Sequence, residues 1–141
     1  MRHAKRQIMK LFSFFSKKVK TVSFPDQVPD NVDTSGWTGA DFYLIIAGAT
    51  QIDKNNYDKL LTPKTLEWSR MNQIKWPIYK VGEGEYSFSF EKHGMEITFS
   101  ETIQFNTAKQ IANEIIEKLS SSNQILNLYI LAKPRVFKNK L

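Results

Sequence analysis

Acid–base or nucleophilic chemistry near neutral pH needs a group that titrates there, and this 141-residue chain offers two histidines and no cysteine. His3 lies in a lysine-rich leader. His93 precedes Gly94 in a predicted turn, where histidine tolerates positive φ better than most residues, and neither stands in a predicted pocket. Without cysteine there is no disulfide, no thiolate nucleophile and no cysteine-bound zinc, a composition that fits a reducing compartment. A histidine-based zinc site lacks ligands. Asp26, Asp30 and Asp33 come nearest to a carboxylate set for calcium or magnesium, but their irregular spacing around Pro29 matches no calcium loop. Gly82-Glu83-Gly84-Glu85 has the glycines of a phosphate loop, yet its two glutamates would repel the anion, so it reads as a strand connection. Glu91 and Glu96 could divide acid and base roles, since close like charges split their pKa values. They fall on the exposed side of a predicted hairpin instead. No catalytic constellation, cofactor or metal is expected.

What remains is charge that could recognise charge. Glu83, Glu85, Glu91 and Glu96 fall on one side of the predicted β segment, and opposed glutamates on a sheet are unfavourable unless a cation relieves them. The expected function is therefore a non-enzymatic protein-binding module. It would be of the immunity or inhibitor type, setting an acidic β surface against a basic protein such as a nuclease. The plain alternative is a solvated face whose charge keeps the sheet from aggregating.

A second function class rests on the N-terminus. Ile8, Leu11, Phe12, Phe15 and Val19 recur at helical spacing among Lys5, Arg6, Lys10, Lys17 and Lys18. Such a basic amphipathic segment suits an anionic membrane surface, a scaffold or an acidic groove. It could equally dock on the protein's own body, and Met9 would also serve as a translation start. A third class, an enzyme working with carboxylates and Tyr or Ser hydroxyls alone, has no residue pattern behind it.

The net charge of +6 supports a nucleic-acid reading only superficially. Residues 1–20 hold seven basic side chains and no acid, the last nine residues hold four, and the stretch between holds nine basic against all fourteen acidic residues. The body is mildly acidic, and its alternating aromatics Tyr86, Phe88 and Phe90 face a core rather than a lysine-lined groove, so specific nucleic-acid binding by the body is not expected. The expected location is cytoplasmic, or peripheral to a membrane through residues 5–20. No apolar run approaches the roughly 20 residues of a spanning helix.

The elements that must position these residues follow from periodicity. The chain divides into a basic, amphipathic segment over 1–24, a Pro/Gly/Asp-rich loop over 25–40, one α+β domain over 41–132 and a basic tail over 133–141. Phe42 to Ala49 is a continuous apolar run that predicts a central strand buried on both faces. Residues 53–73 read as two short helices divided at Thr62-Pro63. Ile78 to Val81 reads as a short strand.

Residues 86–100 alternate strictly about His93-Gly94 and predict a hairpin, pairing Phe90 with Ile97, Phe88 with Phe99 and Glu91 with Glu96. Thr107 to Gln110 matches a capping box that opens a helix with the stripe Ala108, Ile111, Ala112, Ile115, Ile116, Leu119. Gln124 to Ala132 predicts a second buried strand ended by Pro134. The predicted core is Phe42, Leu44, Ile46, Phe88, Phe90, Ile97, Phe99, Ile111, Ile115, Leu119, Leu126, Leu128 and Ile130. The fold class is α+β: a mainly antiparallel sheet with a central hairpin at about 86–100 and helices packed on one face.

Overall fold

A computed structural model describes residues 24, 26–71, 76–120 and 125–134. The residues singled out in the N-terminal segment (Lys5, Arg6, Lys10, Phe12, Phe15, Lys17 and Lys18) and the C-terminal tail beyond Pro134 lie outside these.

Six strands form one antiparallel sheet: β1 (Phe42–Ala47), β2 (Ser69–Arg70), β3 (Tyr79–Val81), β4 (Gly84–Glu91), β5 (Gly94–Phe99) and β6 (Asn127–Ala132), in the order β2-β3-β4-β5-β1-β6. A 3-10 turn at Lys54–Asn56 runs into α1 (Tyr57–Leu60), and α2 (Phe105–Ser120) carries the chain from β5 past β1 to β6. Both helices lie on the face formed by Phe42, Leu44, Ile46, Tyr86, Phe88, Ile97 and Phe99, and all seven of these side chains are buried. The hairpin that the alternation predicts forms, and it sits at the middle of the sheet. β1 is flanked on both edges but is fifth of six, off the centre that its apolar run suggested.

The hairpin register differs from the prediction by two residues. Its turn is Lys92-His93, so Phe88 pairs with Ile97, Phe90 with Met95 and Ser89 with Glu96. A slip of two keeps every side chain on its face, which is why alternation alone could not choose between the registers. The backbone of β1 decides it. Gly94 pairs with Ala47 and has φ of 146°, and a Cβ there would stand 2.2 Å from the Ile46 carbonyl oxygen. Glycine has to be a paired strand residue at this crossing rather than half of the turn. Met95 consequently occupies the fully buried place, and Phe90 lies half-buried near the hairpin's end.

Three other elements depart from expectation. No second short helix forms at Thr62-Pro63, because the Thr62 hydroxyl bonds back to the Asp58 carbonyl and the Lys64 and Thr65 amides are taken by the Glu114 carboxylate. Helix α2 begins at Phe105, ahead of the Thr107 capping box. The Phe105 amide donates to the Trp37 carbonyl at 3.0 Å, and its ring stands edge-on to Trp37 and Phe42, so a tertiary contact supplies the helix start. The Gln110 amide reaches Thr65 and Glu114 instead of closing the box. β6 starts at Asn127 and is half-buried as an outer strand, leaving Leu126, Leu128 and Ile130 only partly covered. Gln27 bridges to Leu131 on its far side.

Five of the six residues of the predicted stripe of α2, Ala108, Ile111, Ala112, Ile115 and Leu119, are buried, and Ile116 at its border is partly covered. An aromatic cluster secures α1 to β3 and β4. The Tyr86 hydroxyl donates to the Leu61 carbonyl at 2.7 Å, and the Tyr79 hydroxyl to Asp58 at 2.6 Å. Burial and the Asp58 carboxylate push the Tyr79 phenol far above its ordinary value, so it stays a donor. No helix of the described residues is long and apolar enough to cross a membrane.

Candidate functional site

The helices leave the other face of the sheet to the residues that alternate away from the core. Glu85, Ser87, Ser89 and Glu91 of β4 stand there beside Glu96 and Thr98 of β5, then Tyr43, Ile45 and Ala47 of β1, then Tyr129 and Leu131 of β6. The face therefore grades from polar and acidic on the hairpin to apolar and aromatic on β1 and β6.

Glu96 is its hinge. It pairs with Ser89 on one side and with Ile45 on the other, and Ile45 in turn pairs with Tyr129. Burial between these neighbours, and then the Glu91 charge, raise the Glu96 carboxyl above its ordinary value. Burial, the Glu96 charge and Asp26 likewise raise the Tyr43 phenol, so the negative field reaches across β1. The Ser89 hydroxyl donates to Glu91 at 2.6 Å, holding that carboxylate over the hairpin, and the Ser87 and Thr98 hydroxyls lie 3.3 Å apart. The described ion pairs are Lys64 with Glu117 and Arg70 with Asp58, and neither touches this face.

The four glutamates singled out in the sequence are not one cluster. Glu91 and Glu96 are close but diagonal, because Glu91 pairs with Gly94. Glu85 stands at the other end of β4, opposite Lys80 of β3. Glu83 is in the Gly82-Glu83 turn and lines an open cleft of about 830 Å³ with Glu67, Trp68, Lys80 and Thr107. That cleft holds no converging set of acid and base, and its Lys80 shares the lining with the carboxylates of Glu67 and Glu83. Among the described residues no three His, Asp or Glu side chains gather to hold a metal ion. His93, in the hairpin turn, meets the Phe24 ring edge-on at 5.8 Å.

Tyr43, Ile45, Tyr129 and Leu131 belong to this face and are absent from the sequence-derived site. Their strands read as continuously apolar, so no alternation signalled which residues point away from the helices. The exposed Trp68, Met71 and Trp76 near the β2 edge were also missed, since a two-residue strand has no periodicity to detect. No protein-family model, curated protein or solved structure matches this chain.

Proposed function

We propose that the protein is a non-enzymatic binding module that engages a basic protein partner through the sheet face opposite α1 and α2, around Glu91 and Glu96. The observation that carries this reading is the pair itself. Two carboxylates stand diagonally across the hairpin, one of them partly desolvated, with no described ion pair to either, and a positive side chain arriving from outside would relieve their repulsion. The half-buried Tyr43 and Tyr129 on the same face add the aromatic contact on which interface energies concentrate. An immunity-type inhibitor of a basic toxin is the form of this activity that the chain's size and cysteine-free composition fit.

The test pairs capture with kinetics. Proteins retained by the wild-type chain from its cells of origin are identified, and the basic ones are produced and measured directly. Glu91→Lys combined with Glu96→Lys should slow association at least tenfold at low salt, with a smaller effect at high salt. Equal association rates for the two chains would remove this face from the interface.

A further inference from the structure

We infer that residues 5–20 dock on the sheet face opposite α1 and α2, over Tyr43 and Tyr129 and beside Glu91 and Glu96. Three observations converge on this occupant. The first is where the described chain begins: the Phe24 ring stands edge-on to Tyr129 at 5.1 Å and to His93 at 5.8 Å, so the described chain starts on this face. Just beyond it, the Val28 amide donates to the Ile130 carbonyl and the Ala132 amide to the Asp26 carbonyl, which fixes residues 26–28 against β6.

The second is apolar content. Tyr43, Ile45, Tyr129 and Leu131 share this face, opposite both described helices; Ile45 at 8% and Leu131 at 2% exposure are already buried, and the half-buried Tyr43 and Tyr129 are the side chains it presents. In a helix, Ile8, Leu11, Phe12, Phe15 and Val19 would form a stripe of matching character, with Lys5 and Lys18 at its borders. Sixteen helical residues span about 24 Å, enough to cross the four strands from β6 to β4 at about 4.8 Å each.

The third is charge. Seven basic side chains and no acid in residues 1–20 meet a body whose excess is acidic, at a face that presents Glu91 and Glu96 without a described ion pair. Because this face is also the surface proposed for the partner, docking in cis would make the segment a competitor that the partner must displace; that consequence alone rests on the proposed function.

The full-length chain supplies a clean test, since it has no cysteine and a single Ser13→Cys carries a nitroxide label at one known site. Ser13 lies opposite the apolar stripe in a helix, so the label leaves the proposed contact free. At low salt the amide NMR signals of Ile45, Glu96 and Tyr129 should lose more than half their intensity, while those of Ile111 and Ile115 behind the sheet lose less. Phe12→Ser with Phe15→Ser, substitutions outside the described fold, should abolish this gradient. Outer-face amides no more broadened than those of α2, or a gradient that survives loss of both phenylalanines, would overturn the inference. Co-sedimentation with phosphatidylserine vesicles in place of the gradient would assign the segment to a membrane surface and overturn it equally. No partner enters the measurement, so its failure leaves the acidic-face reading standing, and failure of that reading leaves the gradient intact.

Discussion

Replacing Glu114 tests how the long connection between α1 and β2 is held. Its side chain retains 8% of its surface, yet it is charged, because one carboxylate oxygen accepts the Lys64 and Thr65 amides and the other accepts the Thr65 hydroxyl and the Gln110 amide. Burial alone would raise its pKa, but these four donors outweigh burial and pull it down to about 2. Glu114→Gln keeps one carbonyl oxygen for the two backbone amides but sets an amide nitrogen against the Gln110 donor. One bond is lost and the others fall from charged to neutral strength, a cost of about 2 kcal/mol. With a urea slope of about 2 kcal/mol/M, the unfolding midpoint at pH 7 should drop by about 1 M.

The pH dependence separates this account from simple misfit. A carboxyl whose folded pKa lies below its unfolded value stabilises the fold above the unfolded pKa of about 4.5 and loses that contribution as pH falls toward about 2. Midpoints measured by circular dichroism should therefore differ fully at pH 7 and 5 and converge through pH 4 and 3. A difference that stays constant across that range would refute the charge-based reasoning, and no difference at pH 7 would remove Glu114 from the connection's support.

Two further outcomes are expected. Ile115→Ala in the buried stripe of α2 should cost about 2–5 kcal/mol, read as a lower midpoint, and an unchanged midpoint would exclude that stripe from the core. Gly94→Ala places a Cβ against the Ile46 carbonyl at a φ that L-residues rarely adopt, so it should destabilise by more than about 1 kcal/mol, whereas Gly82→Ala, with open space around its Cβ position, should cost less by the same urea assay.

The sequence by itself determined the fold class, the central hairpin and the face each hairpin residue occupies, because side-chain alternation and the 3.6-residue period are local properties of backbone geometry. It also determined five of the buried residues of α2, for the same reason, whereas the burial of Phe105 and Glu114 comes from tertiary contacts. Register, the start of α2 and the fate of residues 62–67 were decided only in the tertiary structure. The Gly94 crossing with β1, the Trp37 carbonyl that receives Phe105, and Glu114 reaching back to Lys64 are each long-range contacts that no local pattern encodes. The acidic site divided along the same line. Alternation put Glu85, Glu91 and Glu96 on one face, but only the strand order brought Ile45 and Tyr129 alongside Glu96, and only the two-residue slip made Glu91 its diagonal neighbour rather than its partner. A strand's own sequence specifies its faces; its neighbours across the sheet are chosen by where the rest of the chain can pack.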